Sequence, residues 1–168
     1  MQESLATFSC LPIQVVAVRD RYEEYSHLKC IGNWLMESSL HKQLKELYAD
    51  QGAEIEQKLG RYRIDVVCDQ ELIEIQHGSL AAIRDKVADL TNTHRMLVVK
   101  PIIIRKRLVK TKSQGGRVVH RRLSPKQGSV LDLFDELVYF TRVFPHPNLT
   151  LEAPLVDIEE WRYPGHGR

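Results

Sequence analysis

The stretch "IDVVCDQELIEIQ", residues 64–76, decides the fold because it holds two apolar runs separated by a turn. The pair Asp69-Gln70 is typical of a short turn, so the flanking runs are predicted to form two adjacent antiparallel strands. Asp65 lies in the first strand and Glu74 in the second, although strands are depleted in carboxylates. We expect the two acids to lie close across the ladder, where like charges are destabilising. A divalent cation bound between them would remove that repulsion.

Two interpretations of this acid pair are open. Strand alternation places Leu72, Glu74 and Gln76 on one face, and a single Glu74 there would simply face solvent. The neighbouring Asp65 favours a metal site instead, because Mg²⁺ takes oxygen ligands from one or two carboxylates. The backbone carbonyl of Ile75 can complete that set, and Gln76 can hydrogen-bond a water molecule or a substrate phosphate.

Helices are predicted on either side of the strand pair. A helical pattern begins after Asn33, a residue suited to an N-cap, and Gly52 is placed to end it. A second helix is predicted after Ser79, its expected cap. Its apolar stripe consists of Leu80, Ile83, Val87 and Leu90.

Two further segments complete the predicted sheet. "AEIEQKL" alternates and turns at Gly60 into the strand that carries Asp65. "MLVVKPIII", residues 96–104, is interpreted as one continuous strand in the middle of the sheet, with Pro101 at an edge or bulge. The order helix, three strands, helix, strand predicts an α/β fold with a mixed sheet. Residues 1–168 are expected to form a single domain.

These elements resemble the PD-(D/E)XK nuclease superfamily, in the variant that carries Glu-x-Gln. The matching residues are Asp65 in "RIDVV", Glu74-Ile75-Gln76 in "LIEIQ", and Glu37 at the acid position on the preceding helix. The resemblance spans about residues 33–104. It implies a restriction-endonuclease-like αβββαβ core, with a mixed central sheet flanked by helices.

The resemblance also implies metal-dependent hydrolysis of phosphodiester bonds, with Mg²⁺ or Mn²⁺ as the cofactor. Asp65, Glu74 and the Ile75 carbonyl would hold the metal. Gln76 would position the attacking water. Glu37 would bind a second ion, assist through water, or do neither.

The sequence departs from the superfamily pattern at two positions. Ile64 replaces the proline of the motif, and Gln76 replaces its lysine. Because a glutamine carries no charge, it is a poorer stabiliser of developing negative charge. Lys86 on the following helix can take over that role, although a solvated position is the favoured interpretation. His41, one turn after Glu37, can approach the same cleft, but a surface histidine is favoured.

A basic segment follows the predicted core. From Arg95 to Leu131 there are eleven Lys or Arg and no Asp or Glu, whereas seven acids and three bases follow from Asp132 onwards. Residues 102–123 are predicted to form a long β-hairpin that turns at Ser113–Gly116. Its basic side chains can line a track of phosphates. They are Arg105, Lys106, Arg107, Lys110, Lys112, Arg117, Arg121 and Arg122. The alternative is an edge ribbon kept soluble by its charges.

The C-terminal part is predicted to contain a helix over residues 129–143, followed by a strand pair or extended arm that ends near residue 161. The three cysteines are odd in number and widely spaced, a pattern that fits the reducing cytoplasm and no disulfide framework. No apolar run approaches the ~20 residues of a membrane helix, and no secretory signal is visible.

Three functional hypotheses remain. The first is a metal-dependent nuclease with a nucleic-acid partner, DNA being favoured. The second is a non-catalytic nucleic-acid-binding or assembly module that keeps the nuclease fold, and the third is a small α/β interaction domain with solvated acids. The chain has no match to the phosphate-binding loop pattern of nucleotide hydrolases. A homodimer is left open.

Overall fold

A computed structural model describes residues 28–31, 39–49, 52–69 and 71–164. In chain order, the elements of this part are β1 (Leu28–Ile31), α1 (Ser39–Tyr48), β2 (Glu54–Leu59), β3 (Tyr62–Cys68), β4 (Glu71–Ile75), a 3-10 helix (Leu80–Ile83), α2 (Arg84–Leu90), β5 (Arg95–Val99), β6 (Ile102–Thr111), β7 (Val118–Leu123), α3 (Asp132–Val138), β8 (Leu149–Glu152) and β9 (Leu155–Arg162). Within these ranges, no helix has the length and apolarity needed to cross a membrane.

The larger sheet has the strand order β2-β3-β4-β5-β8. Strands β2, β3 and β4 pair antiparallel through tight turns, in which Gly60 and Asp69 adopt φ angles of 58° and 47°. Strands β4, β5 and β8 are parallel. Because parallel neighbours need a crossover, the 3-10 helix and α2 carry the chain from β4 to β5. The predicted α/β class with a mixed sheet is confirmed at this level.

The smaller sheet has the order β1-β9-β6-β7. Strands β6 and β7 form the predicted basic hairpin, and the Gly116 N–H donates to the Ser113 carbonyl across its turn at 3.0 Å. Gly115 adopts a φ of 69° in this turn, a conformation that glycine enters without steric cost. Strand β9 runs parallel to β6 and β1 runs parallel to β9.

The prediction of one continuous strand over residues 96–104 is wrong. Strand β5 ends at Val99 in the larger sheet, and β6 begins at Ile102 in the smaller one. Pro101 stands at the bend between them, where a residue without an N–H interrupts the ladder. A pattern of apolar residues cannot separate one long strand from two short ones in different sheets.

Strands β8 and β9 make the same passage between the sheets at Ala153-Pro154. The two crossings are hydrogen-bonded to each other. The Lys100 N–H donates to the Glu152 carbonyl at 2.7 Å, and the Ile102 N–H to the Pro154 carbonyl at 2.9 Å. Strands β5–β6 and β8–β9 therefore form one bent parallel ribbon that joins the two sheets.

Two apolar cores lie on the two faces of the larger sheet. The first contains the predicted stripe of the 3-10 helix and α2, all of which is buried, together with Phe140. In the second, Leu40 and Leu44 of α1 pack with Ile73 of β4 and with Ile158 of β9. Helix α1 therefore contacts strands of both sheets, which brings its polar side chains towards the middle of β3 and the end of β4.

The third helix is shorter than predicted. Helix α3 covers Asp132–Val138, and turns rather than helix occupy the rest of residues 129–143. Leu133 and Leu137 pack against the first core as expected, whereas Phe134 is 61% exposed. The helix thus contributes one apolar edge and two acids, Asp132 and Glu136, which lie close to the ends of β4 and β5.

Candidate active site

Strand β3 is irregular at Asp65. Ile64 packs into the core on the α2 side and Val66 into the core on the α1 side, although residues two apart on a regular strand share a face. The β2–β3 ladder is interrupted here, and Glu56, at the facing position of β2, has a φ of 59°. Non-glycine residues adopt this left-handed conformation only under constraint, and such constraint concentrates at functional sites. The distortion turns the Asp65 carboxylate towards the end of β4.

The Asp65 carboxylate and the Ile75 backbone converge on one point. Asp65 Oδ2 accepts the Ile75 N–H at 2.9 Å. His41 Nε2 lies 3.1 Å from Asp65 Oδ2 and 3.1 Å from the Ile75 carbonyl oxygen. Since both oxygens are acceptors, Nε2 carries the proton and donates to the pair. The prediction that His41 lies at the surface is wrong, because its side chain is 22% exposed and bonded to Asp65.

Glu74 is paired with Lys86 of α2, which lies on the face of the larger sheet opposite to α1. Lys86 Nζ donates to Glu74 Oε2 at 2.5 Å, and the two side chains are 15% and 10% exposed. The same ammonium group donates to the Arg63 carbonyl. The favoured interpretation of Lys86 as solvated is therefore wrong. Helix α2 delivers its cationic group to the predicted metal ligand on β4.

The pKa values of the two acids shift in opposite directions. Burial, aided by the charge of Asp65, raises the pKa of Glu74 despite the contact with Lys86. Burial alone would raise the pKa of Asp65, but hydrogen bonds from His41 and the Ile75 N–H outweigh it and lower that pKa. Divergent pKa values in neighbouring acids are a property of acid–base sites. Partial burial and the charges of Lys100, His41 and Lys106 lower the pKa of His77, which follows this cluster.

Gln76 is hydrogen-bonded to the backbone of the segments that follow β4 and end β5. Its backbone N–H donates to the Val99 carbonyl at 2.9 Å, and its side-chain Nε2 donates to the Ser79 carbonyl at 2.6 Å. The amide group therefore holds the turn before the 3-10 helix in this arrangement. Glu37 lies outside the described residues. Of the predicted site residues, the structure brings together Asp65, Glu74 and the Ile75 carbonyl.

Sequence reasoning missed a third acid–base pair beside this cluster. Lys45 lies one helical turn after His41, is 3% exposed, and its Nζ contacts Glu56 Oε1 at 2.6 Å. Arg63 contacts the same carboxylate. Glu56, Asp65 and Glu74 thus lie on three adjacent strands, each paired with a base, and we call them the acidic row. The spacing of His41 and Lys45 beside the buried residues of α1 was the available signal.

The acidic row does not form a complete metal cage by itself. Among the residues that the structure describes, no group of three or more His, Cys, Asp or Glu side chains is arranged to hold a metal ion. The oxygen atoms that converge are one carboxylate of Asp65 and the carbonyl of Ile75. A cation at that point would therefore need water or a substrate to complete its ligands.

The bases of the hairpin fall into two groups. Three are paired with acids of β9: Arg105 with Asp157 at 3.4 Å, Lys106 with Glu160 at 3.1 Å, and Arg107 with Glu159 at 2.7 Å. In the described part of the chain, the other five are exposed, and their side chains have no hydrogen-bond or ion-pair partner. These are Lys110, Lys112, Arg117, Arg121 and Arg122. The free positive charge is therefore concentrated at the hairpin tip and on β7.

Comparisons with known proteins identify a family without an assigned activity. A family model described as a domain of unknown function, DUF8091, matches residues 38–168, and the chain belongs to this family. The chain is also similar to an uncharacterized protein of Treponema pallidum (strain Nichols), with 28% identity over 128 residues. That match covers 76% of this chain and 51% of the relative, so the chain spans about half of the relative's length. No solved structure matches significantly.

Proposed function

We propose that this member of the DUF8091 family is a metal-dependent nuclease that hydrolyses phosphodiester bonds, with DNA as the favoured substrate. The proposal is supported by the order α1-β2-β3-β4-α2-β5, in which an antiparallel meander is followed by a crossover to a parallel strand. This order agrees with the αβββαβ core expected of a restriction-endonuclease-like fold. We therefore assign that core to the larger sheet and its two helices.

One observation carries the proposal. Asp65 Oδ2 and the Ile75 carbonyl oxygen aim at a common point, marked by the His41 Nε2 donor at 3.1 Å from each. The Glu74–Lys86 pair lies beside it, and the charge of Asp65 contributes to the raised pKa of Glu74. Two converging oxygen acceptors next to a second carboxylate are a donor set that suits Mg²⁺ or Mn²⁺.

The residues present suit such a cation in their chemistry, because they supply two carboxylates and a backbone carbonyl. Asp65, Glu74 and the Ile75 carbonyl would hold it with water completing the set, and the protonated His41 Nε2 would have to turn aside. When bound, the metal supplies Lewis-acid catalysis and acidifies water. The protein's own contribution is to hold the oxygens in place, because the Ile75 N–H fixes Asp65 before any ligand arrives.

Lys86 is assigned the role of the superfamily's lysine. Its ammonium group lies 2.5 Å from Glu74, on the helix after the motif, whereas Gln76 is engaged with Ser79. A positive charge fixed at this distance stabilises negative charge that develops on a phosphate, which a neutral amide does poorly. The side-chain oxygen of Gln76 can still accept a hydrogen bond from water. Gln76 would therefore position the attacking water rather than stabilise negative charge on the phosphate.

The unpaired bases at the hairpin tip and on β7 are assigned to backbone phosphates. Contacts of this kind give affinity that depends on salt and is largely independent of base sequence. The bases paired with β9 would contribute less, since each must first give up an acid partner. The predicted eight-residue track is thereby narrowed to Lys110, Lys112, Arg117, Arg121 and Arg122.

The proposal is tested by cleavage of linear, circular and branched DNA with Mg²⁺ or Mn²⁺. Wild type is compared with Asp65→Asn, Glu74→Gln and Lys86→Met, and with Asp85→Asn as the matched control. Asp85 lies on α2 next to Lys86, but its side chain is 91% exposed. We expect the first three variants to lose cleavage and the control to retain it. Metal-dependent cleavage that survives in Asp65→Asn would contradict the proposal.

A second candidate is a nucleic-acid-binding module that keeps this fold without catalysis. It is favoured by one observation, namely that the His41 N–H already satisfies the two oxygens at the point proposed for the metal. The same assay separates the candidates. DNA that is bound in a salt-dependent way but left intact with both metals would select the second.

A further inference from the structure

A separate crevice lies where β4 and β5 end, beyond the acidic row. Its volume is about 380 Å³, within the range of pockets that take small ligands. In open α/β sheets, ligands bind in the crevice outside the carboxyl ends of the parallel strands, and this crevice has that position. One side is formed by His77 and Lys100, which follow the two strands, and the other by α3.

The lysines that line this crevice are Lys100, Lys106 and Lys126, and we call it the lysine pocket. Two acids of α3, Asp132 and Glu136, also line it, but both are already hydrogen-bonded. Asp132 accepts the Ser129 N–H at 2.9 Å. Glu136 accepts the Leu80 N–H and the Ser79 hydroxyl, both at 2.9 Å. Lys100 and Lys106 are each paired with a carboxylate, so the unpaired positive charge of the pocket is that of Lys126.

The Lys126 ammonium is the uncommitted charge of the pocket. In the described part of the chain, it has neither an ion-pair nor a hydrogen-bond partner, whereas Lys100 is 3.6 Å from Glu136 and Lys106 is 3.1 Å from Glu160. An isolated ammonium group facing a crevice is suited to an anion that arrives from solution.

The loop that carries Lys126 is fixed against strand β6. The Ser124 N–H donates to the Lys106 carbonyl at 2.8 Å and the Gly128 N–H to the Ile103 carbonyl at 2.7 Å. A Cβ at Gly128 would lie 2.7 Å from that carbonyl oxygen, so this close approach requires glycine. The backbone around Lys126 is thus held on both sides in the absence of a ligand, so less ordering of the backbone is needed on binding.

The pocket and the acidic row are directly connected. Lys100 Nζ donates to the carbonyls of His77 at 3.3 Å and Gly78 at 2.5 Å, the segment that follows Ile75 and Gln76. A ligand held by the lysines would therefore lie close to the atoms proposed to act on the scissile bond.

We propose that the lysine pocket binds the terminal phosphate of a polynucleotide strand. A terminal monoester carries up to about two negative charges at neutral pH, against one for an internal diester, and so is attracted more strongly to the unpaired Lys126 ammonium and the two lysines beside it. The inference rests on the proposed nuclease function, because that function is the reason to expect a polynucleotide strand beside the acidic row. The substrate class is then a polynucleotide with a phosphorylated end, and the enzyme would cleave the strand starting from that end.

The test is DNA binding in EDTA, so that cleavage plays no part. Fluorescence anisotropy compares short DNA carrying a 5′-phosphate, a 3′-phosphate or no terminal phosphate. We expect one phosphorylated form to bind about tenfold more tightly, the factor expected from one charge-assisted hydrogen bond. Lys126→Gln should abolish that difference, Lys126→Arg should restore most of it, and Lys58→Gln, an exposed lysine on β2 outside the pocket, should leave it unchanged.

Each opposite result overturns the inference. Equal binding of all three DNAs, or an unchanged preference in Lys126→Gln, removes the pocket as a phosphate site. Competition by free deoxynucleoside monophosphate as strong as that by phosphorylated DNA would show that a free nucleotide, not a strand end, is the ligand. Cleavage without an end preference leaves the nuclease and removes this inference. A preference for phosphorylated ends in binding, without cleavage, leaves the phosphate site and removes the nuclease.

Discussion

Removal of the Lys86 ammonium provides a direct test of the proposed site geometry. The change is Lys86→Met, which keeps the aliphatic stem and deletes the charge that contacts Glu74 at 2.5 Å. Because the Glu74 side chain is only 10% exposed, its carboxylate would be left buried without its cation. Breaking a buried pair in this way costs about 3–5 kcal/mol in fully buried cases.

Protonation of Glu74 limits the cost in this protein. A carboxyl group that stays neutral when folded but ionises when unfolded costs about 3.7 kcal/mol at pH 7 and about 1 kcal/mol at pH 5. Burial already raises the pKa of Glu74 in the wild type, so part of this cost is present before the change. We therefore expect Lys86→Met to lose about 2–3 kcal/mol at pH 7 and less than about 1 kcal/mol at pH 5.

Urea unfolding followed by circular dichroism at the two pH values measures this difference. A loss of about 2–3 kcal/mol corresponds to a fall in Tm of about 4–12 °C for a chain of this size. The double variant Glu74→Gln/Lys86→Met should recover all but about 1 kcal/mol, since a buried pair can be replaced by neutral groups at little cost. Lys42→Met on α1, where the side chain is 69% exposed, is the control and should change stability by less than about 0.5 kcal/mol.

A small, pH-independent loss in Lys86→Met would refute the reasoning. It would mean that Lys86 is solvated and that Glu74 is accommodated without it. The assignment of Lys86 to the catalytic cation would then be lost as well, because both rest on the same contact.

Three further predictions follow from the structure. Wild-type stability should fall as the solution is acidified through the lowered pKa of Asp65, because the unfolded chain takes up that proton first; Asp65→Asn should lack this part of the pH dependence in urea titrations. Arg121→Gln should reduce the salt slope of DNA binding by about 1, whereas Arg107→Gln, whose side chain is paired with Glu159, should reduce it less, as measured by anisotropy over a range of salt concentrations. Gly128→Ala should destabilise the protein by about 1–3 kcal/mol, since the new Cβ would meet the Ile103 carbonyl; Gly78→Ala, with its nearest contact at 3.5 Å, should be tolerated, and equal Tm values for the two variants would contradict the role given to this close approach.

The parts of the fold set by local patterns were predictable from the sequence. The meander β2–β4 follows from alternating residues and turns, and the stripe from Leu80 to Leu90 predicted a helix that is buried where expected. The division of residues 96–104 between two sheets was not predictable. Its cause is pairing with β8 and β9, which lie about 50 residues further along the chain, and no local period records the position of such partners.

The candidate site divides in the same way. Asp65 and Glu74 could be named because two acids on neighbouring strands violate a local preference. Lys86 and His41 could not be placed, since a polar residue at the border of an apolar stripe faces solvent or a buried acid depending on tertiary packing. The basic hairpin was found from its composition. The neutralisation of three of its bases depends on parallel pairing with β9, which the charge pattern alone does not reveal.

The bent parallel ribbon determines where the chain can be cut in the laboratory. The segment that resembles the nuclease core ends near residue 104, yet the edge of β5 in the larger sheet is covered by β8, contributed by Leu149–Glu152. A fragment ending at residue 104 would expose the backbone donors and acceptors of a largely buried, apolar strand, which is a template for aggregation. Truncated and fusion proteins should therefore keep the chain intact through the end of β9, with tags placed beyond Arg162.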